Sequence, residues 1–157
     1  MVVHEIAPIF DKNSKVLILG TMPSPKSRQA AFYYMHPQNR FWRVLGAILE
    51  EDFSVSNEQK RNILLKRRIA LWDVLKSCDI DGASDASIKN EVPNDLNIIF
   101  SSSKIEQVFT TGRTAEKFYK KYFGKECIAL YSPSAANCAI SFERLCEDYS
   151  QILEFLK

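Results

Sequence analysis

The chain has 157 residues, of which 46% are hydrophobic and 25% charged, the proportions of one globular domain with a sizeable core. Its net charge of +2, from 21 basic and 19 acidic side chains, is too mild to indicate a nucleic-acid binder by itself. No apolar run approaches the length of a membrane span, and the amino terminus lacks a signal-peptide pattern. We therefore expect a cytoplasmic protein with no membrane partner.

The first half of the chain predicts two strands and two helices. The apolar run over 15–19 predicts a buried strand, and apolar residues at helical spacing predict a helix over 39–50. The sequence Ser56-Asn57-Glu58-Gln59 has the form of a capping box, so a second helix is predicted to run from there toward Arg67. The apolar run over 69–72 predicts a second strand.

In the second half, turn-forming residues dominate 78–93 and predict an exposed loop. Asn94 is placed to cap a short helix that ends at Phe100. Further on, apolar runs and amphipathic stretches alternate again. The elements predicted there are a strand over 105–109, a helix from Ala115 to Tyr122 that Gly124 stops, a strand over 127–130, and a final helix with an apolar face from Leu145 to Leu156.

Strands and helices alternate along the chain, and each predicted strand is short and apolar throughout. This pattern is typical of a parallel sheet that helices cover on both sides. We therefore predict an α/β fold, with a three-layer α/β/α arrangement around a central four-stranded parallel sheet, in a single domain over 1–157. Ligands of such folds bind at the carboxyl ends of the strands, which here are the segments 20–25, 72–73, 111–112 and 132–134.

Several common α/β sites are absent from the sequence. There is no P-loop, no G-x-G-x-x-G dinucleotide motif, no G-x-S-x-G nucleophile elbow and no zinc deaminase signature. The four cysteines form no C-x-x-C pair, and only His4 and His36 could join them as metal ligands. We therefore expect neither a cofactor nor a metal site.

Two loops rich in serine and proline follow predicted strands. The first, Ser24-Pro25-Lys26-Ser27-Arg28, places two cations beside hydroxyl groups, and the second is Ser132-Pro133-Ser134. Such hydroxyls and free backbone N–H groups can bind phosphate oxygens, but the same residues are also common in plain turns. In the segment MHPQNRFW, Phe41 and Trp42 fit a core, and Asn39 fits either a helix cap or a pocket wall.

Three ordered segments resemble the uracil-DNA glycosylase superfamily. They are GTMPSP after the first strand, HPQNRFW in the following loop and SPSAAN after the last strand. The resemblance covers nearly the whole chain, and HPQNRFW together with MPS and LWDVLKSC is most similar to the hypoxanthine-DNA (deoxyinosine) glycosylase branch. Met22 stands where mismatch-specific uracil enzymes have an asparagine, and Ser132 stands where the fast uracil enzymes have a histidine. Efficient uracil excision is therefore not expected.

The resemblance implies a monofunctional glycosylase that hydrolyses the N-glycosidic bond of deoxyinosine in double-stranded DNA. Asn39 would be the catalytic residue, holding a water molecule against the anomeric carbon, and Arg40 would contact a phosphate or a carboxylate. The base-binding residues implied are Gly20, Thr21, Met22, Pro23, Tyr34, Trp72 and Asp73. The DNA-binding residues implied are Ser24, Lys26, Ser27, Arg28, Ser132, Ser134, Ala135, Ala136 and Asn137.

Other interpretations stay open on the sequence alone. The HPxNRFW pattern also fits a mismatch-specific uracil or thymine glycosylase, and the absence of a carboxylate in the first loop fits a non-catalytic binder of lesion DNA with the same fold. An α/β enzyme acting on free nucleosides is a further alternative. Asp73 also fits an ordinary helix N-cap. The expected partner is DNA containing a deaminated base, bound by a monomer.

Overall fold

The computed structural model describes all 157 residues. The strands are β1 Val2–Val3, β2 Val16–Gly20, β3 Ile69–Asp73, β4 Leu75–Asp79, β5 Lys89–Pro93, β6 Gln107–Thr111 and β7 Ile128–Leu130. The α-helices are α1 Pro25–Ala30, α2 Phe41–Leu49, α3 Asn57–Lys66, α4 Asn97–Phe100, α5 Arg113–Phe123 and α6 Phe142–Tyr149. Single turns of 3₁₀ helix occur at Asp85–Ser87 and Ala135–Asn137, and a longer one at Ser150–Phe155. No helix is both long enough and apolar enough to cross a membrane.

Four parallel strands in the order β3-β2-β6-β7 form the central sheet, which confirms the predicted α/β fold. Every residue of β2 and of β3 is buried, as expected for apolar strands that helices cover on both faces. The register pairs Gly20 with Asp73 and Thr110 with Leu19. The carboxyl ends of β2, β3 and β6 therefore lie side by side.

The order of the strands creates a crevice at one edge of the sheet. β3 lies next to β2 on one side, and β6 lies next to β2 on the other side. Because crossover connections between parallel strands are right-handed, α1 to α3 cover one face and α4 and α5 cover the opposite face. The helix α6 packs against α2 and so returns to the first face. The carboxyl ends of β2 and β6 form the topological switch point, where ligands of open α/β sheets bind.

Local signals predicted several helix ends correctly. The hydroxyl of Ser56 accepts a hydrogen bond from the Gln59 backbone N–H, and the Gln59 side chain accepts one from the Ser56 N–H, so the capping box is confirmed. Gly124 ends α5 in the left-handed conformation, at φ 63°. The strand predicted over 105–109 lies two residues further on, as β6.

The prediction of a loop over 78–93 is wrong at both ends. There, β4 pairs with β1 on one side and with β5 on the other in a second, antiparallel sheet, and only the excursion between β4 and β5 remains irregular. Four of the five residues of β5 are polar or proline, so the sequence shows no alternation of apolar residues that would predict a strand. The strand is defined by its pairing with β4. The excursion over 80–88 extends toward the crevice of the parallel sheet, where Ile80, Ala83 and Asp85 line the pocket.

The predicted capping role of Asn94 is also wrong, because α4 begins after Leu96. Asn94 is instead buried, and its amide donates hydrogen bonds to the backbone oxygens of Asp73 (2.9 Å) and Leu75 (3.0 Å). It thereby fixes the turn by which the chain passes from the parallel sheet to the antiparallel one. Since β4 and not a helix follows Asp73, the alternative of Asp73 as a helix N-cap is wrong as well.

Candidate functional site

A small pocket opens at the switch point of the parallel sheet. Its volume of about 140 Å³ is close to that of an engineered cavity of about 150 Å³ that admits benzene, so it suits a small flat ring system. Most residues that the sequence singled out line this pocket. They are Gly20, Thr21, Met22, Pro23, Ser24, Ser27, Tyr34, Asn39, Asp73, Ser132 and Ser134.

Gly20 allows the polar groups of the pocket to approach one another. A Cβ at this position would overlap the Asp73 Oδ1 and lie 3.0 Å from the Tyr34 Oη and 3.5 Å from the Thr111 Oγ1. The last residue of β2 therefore has to be glycine for a carboxylate and two hydroxyls to meet above it. This requirement comes from close approach, because the φ of Gly20 is not positive.

Asp73 brings a buried carboxylate to the pocket. Its side chain is 5% exposed, and its Oδ2 lies 2.7 Å from the Nε2 of His4, whose side chain is 1% exposed. No lysine or arginine pairs with this carboxylate. The Oδ1 has no hydrogen-bond partner in the protein. The only fully buried side-chain N or O atom without a partner is Trp72 Nε1, so the Oδ1 of Asp73 must be accessible. The Oδ1 of Asp73 is thus an acceptor that is open to the pocket.

Tyr34 is held in a strained backbone conformation on one wall of the pocket. Its φ of 54° is unusual for an aromatic residue. One face of its ring stacks on Phe41, with the ring centroids 3.9 Å apart, and its hydroxyl lies 2.9 Å from the Thr111 Oγ1. Burial raises the pKa of Tyr34 well above its ordinary value, and the charge of Asp73 raises it further. Tyr34 is therefore a neutral hydrogen-bonding group at physiological pH.

Asn39 lines the pocket but is not the N-cap of α2, because Arg40 occupies the cap position. The Asn39 Oδ1 accepts a hydrogen bond of 2.9 Å from the Phe41 N–H and so closes the turn that leads into α2. Because a backbone N–H needs an acceptor, the oxygen of the amide must face Phe41, which fixes the orientation of the side chain. The NH₂ group of Asn39 donates to no protein acceptor and is available to a ligand or to water.

Arg40 joins the aromatic loop to the loop after β7. Its guanidinium donates to the backbone oxygens of Ser134, Asn137 and Ile140, and its backbone N–H donates to Pro133. No carboxylate pairs with Arg40, so that alternative of the prediction is wrong. Arg40 instead holds the segment of 3₁₀ helix after Ser134 against the pocket.

The hydroxyls of the loop after β7 stabilise its turns and remain able to donate. The Ser132 Oγ accepts from the Ser134 N–H and the Ser134 Oγ accepts from the Ala136 N–H, both at 3.2 Å. A groove of about 650 Å³ adjoins the pocket here. It is lined by Ser132, Ser134, Ala136 and Asn137 together with Arg113 and Arg144. This groove runs beside the pocket with two cations on its walls.

The first loop is more rigid than its composition suggested. Ser24 caps α1 by accepting from the Ser27 N–H, and the buried Ser27 Oγ accepts from the Met35 N–H at 3.0 Å. The Arg28 guanidinium donates to the Pro23 oxygen at 2.9 Å. Of the two cations in this loop, Lys26 is therefore the exposed one, whereas Arg28 supports the pocket wall.

Some predicted site residues lie outside the pocket, and some pocket residues were not predicted. Trp72 belongs to the core, with its ring centroid 6.5 Å from that of His4. Lys26, Arg28, Ala135, Ala136 and Asn137 lie outside it too. Thr111 and Pro133 also line the pocket, and both belong to the strand-end segments where a ligand was expected. The residues of the pocket that were not predicted are Tyr33, Ile80, Ala83 and Asp85.

Asp85 belongs to the irregular excursion between β4 and β5 and has no sequence signal of its own. The residue as a whole is exposed, but it lines the pocket. Removal from water raises the pKa of its carboxyl group, a hydrogen bond from Thr114 opposes this shift, and the charge of Asp73 adds to it. The pocket therefore has one carboxylate at the end of β3 and another on the connection between β4 and β5. Nowhere do three or more His, Cys, Asp or Glu side chains form a potential metal cluster.

The fold and the pocket define an α/β protein with a small polar pocket at the switch point of a parallel sheet. A family profile described as "Uracil DNA glycosylase superfamily" matches residues 7–157. The chain belongs to this superfamily, which confirms the resemblance drawn from its three loops, and DNA is its substrate.

Two similar proteins carry the name hypoxanthine DNA glycosylase. The one from Methanosarcina barkeri (strain Fusaro / DSM 804) is 37% identical over 134 residues, 83% of this chain and 85% of that protein. The one from Methanosarcina acetivorans is 32% identical over 148 residues, 92% of this chain and 94% of that protein. A solution NMR structure of a candidate uracil DNA glycosylase from Methanosarcina acetivorans superposes with a TM-score of 0.82, at 31% identity and 96% coverage of each chain.

Proposed function

We propose that the chain is a monofunctional DNA glycosylase that releases hypoxanthine from deoxyinosine in double-stranded DNA. The observation that carries this proposal is the open Oδ1 of the buried Asp73 in a pocket sized for a small ring system. The two relatives named hypoxanthine DNA glycosylase support the same base. The proposal includes action as a monomer.

Hypoxanthine offers an N1–H donor beside an O6 acceptor. The Asp73 Oδ1 would accept from N1–H, and the backbone N–H groups of Met22 and Tyr34, which donate to no protein acceptor, are candidates for O6. Adenine has the reverse pattern, with an acceptor at N1 and a donor at the neighbouring position. A buried carboxylate facing the N1 of adenine would be left unpaired, which disfavours adenine by about 10⁴-fold or more.

The chemistry proposed is hydrolysis driven by departure of the base. As the C1′–N9 bond breaks, its electron pair leaves with the purine, and the sugar acquires oxocarbenium character. The oxygen of a water molecule then bonds to C1′, and the proton it loses passes to solvent or to the released base. Asn39 would hold this water from the pocket wall, because an amide can position a water molecule but is too weak a base to deprotonate it.

The target nucleotide must rotate out of the duplex to reach the pocket. It can do so only if the protein binds the phosphates on either side of it. The donor hydroxyls of Ser132 and Ser134, the exposed Lys26 and the cations of the adjoining groove would supply these contacts. Ala136 is exposed on the 3₁₀ turn after Ser134 and would fill only a small part of the gap left in the duplex. Moderate affinity follows, with most of the energy in phosphate contacts.

The test is release of the base from an end-labelled duplex with a single deoxyinosine, followed by alkali to cleave abasic sites. We expect strand breaks with the wild type, a strong loss in Asn39→Ala, and no loss in the matched control Asn13→Ala, whose side chain is exposed and makes no hydrogen bond. Absence of breaks with the wild type would refute the proposal. Tight binding of the lesion duplex without base release would indicate a non-catalytic binder.

A second candidate is a mismatch-specific uracil or thymine glycosylase, because the N3–H of these bases would also meet the Asp73 Oδ1. Base release from duplexes with G·U and G·T pairs is measured in parallel with release from the deoxyinosine duplex. The substrate whose base is released fastest decides between the two candidates. No lysine lines the pocket, so a lyase reaction through an amine is not expected. Borohydride should accordingly trap no covalent protein–DNA adduct.

A further inference from the structure

The only protein donor to the Asp73 side chain comes from the amino terminus of the chain. His4 lies directly after β1, and its backbone N–H pairs with the Lys76 oxygen of β4 at 2.6 Å. Its ring packs 6.1 Å from the ring of Tyr33 and edge-on to Trp72. The imidazole is thus fixed on the side of Asp73 that faces away from the pocket opening.

The hydrogen bonds of His4 indicate which of its ring nitrogens is the donor. The backbone N–H of Ile6 points at the Nδ1 of His4 at 3.2 Å. A backbone N–H can only donate, so this Nδ1 carries no proton, and the single ring proton must be on Nε2. The Nε2–H therefore donates to the Asp73 Oδ2 at 2.7 Å.

This arrangement leaves the two oxygens of Asp73 with different tasks. Oδ2 is satisfied by His4, and Oδ1 lies above Gly20 with an open side toward the pocket. Asn94 fixes the backbone of Asp73 at the same time, by donating to its carbonyl oxygen. Position and direction of the free acceptor are therefore set before any ligand arrives.

We propose that His4 is a positioning residue that orients the Asp73 carboxylate as an acceptor in the pocket, and that this pair selects bases with an N–H donor beside a carbonyl. The inference rests on the proposed function and extends it to the origin of base selectivity. His4 does not touch the base. It acts by excluding the other orientations of Asp73, in which Oδ1 would turn away from the pocket.

The experiment compares base release from two duplexes in single-turnover reactions. One duplex carries hypoxanthine, and the other carries unsubstituted purine, which has no N1–H. The variants are His4→Leu, which removes the donor, His4→Gln, which returns an N–H near the position of Nε2, and Ile6→Ala, which loosens the same segment without changing the pair. Thermal unfolding and affinity for a duplex with an abasic-site analogue, which leaves the base pocket empty, are measured for each.

In the wild type we expect the hypoxanthine-to-purine rate ratio to be large. In His4→Leu it should fall by about tenfold or more, the loss expected when one buried hydrogen-bonding partner is no longer held in place. The ratio should recover in His4→Gln and stay at the wild-type value in Ile6→Ala, and binding of the abasic duplex should be unchanged in all of them. If His4→Leu lowered the rates on both duplexes equally and left their ratio unchanged, the role of His4 would be purely structural. That result would overturn this inference but not the proposed function. A wild type without activity on hypoxanthine would overturn the proposed function and the inference with it.

Discussion

Asn39 gives the sharpest prediction, because the structure separates what its two amide atoms do. The Oδ1 accepts from the Phe41 N–H in the turn before α2, and the NH₂ group is free at the pocket wall. Asn39→Ala removes both. Loss of the hydrogen bond to Phe41 should cost about 1 kcal/mol of stability, which for a chain of this size lowers the melting temperature by about 2–4 °C. Loss of the positioning group should slow base release by about 10²-fold or more.

Asn39→Asp separates the two effects. A carboxylate retains the acceptor for the Phe41 N–H and is favourable at a helix amino terminus, so the melting temperature should equal that of the wild type or exceed it. The NH₂ donor is lost, however, and another negative charge enters a pocket that already contains Asp73 and Asp85. Base release should therefore be as slow as in Asn39→Ala, in spite of the restored stability.

The assay is single-turnover release of hypoxanthine at saturating enzyme, with thermal unfolding followed by circular dichroism on the same samples. Asn13→Ala serves as the matched control for both measurements. Unchanged base release in Asn39→Ala would remove this residue from the mechanism. Activity in Asn39→Asp near the wild-type level would show that the reaction needs the oxygen and not the NH₂ group, contrary to the assignment made from the Phe41 contact.

Three further predictions follow from the geometry. Gly20→Ala forces a Cβ against Tyr34 and the neighbouring carboxylate, so it should cost about 1–3 kcal/mol in urea unfolding and abolish most base release. Lys26→Ala should lower the slope of log K against log salt for duplex binding by about 1, whereas Lys12→Ala should not. Burial raises the pKa of Tyr33 and Tyr34. The native state thus keeps protons that the unfolded chain loses above about pH 10, and stability should fall as the pH rises beyond it.

Elements with a strong local pattern could be predicted from the sequence. The apolar run of β2 and the capping box at Ser56 each depend on residues next to one another, and both were found within one residue. The strand β5 could not be predicted, because its polar residues show no apolar period and its pairing with β4 defines it. The same limit explains the error at Asn94, whose amide bonds to a turn about twenty residues earlier along the chain.

The candidate site divides in the same way. Its loops, and Asn39 among them, could be identified because motif residues are adjacent in the chain and resemble a known superfamily. His4 and Asp73 are 69 residues apart, and Tyr34 and Thr111 are 77 apart, so no local pattern pairs them. Asp85 reaches the pocket only because the second sheet directs its connection there.

The amino-acid sequence by itself determined the parallel sheet, the strand ends that form the pocket and the superfamily, since each depends on periodicity or on contiguous residues. Only the tertiary structure decided which polar atoms face the pocket and which are occupied by other protein groups. The physical reason is that the direction of a buried carboxylate or amide is set by its hydrogen-bond partners, and these come from distant parts of the chain.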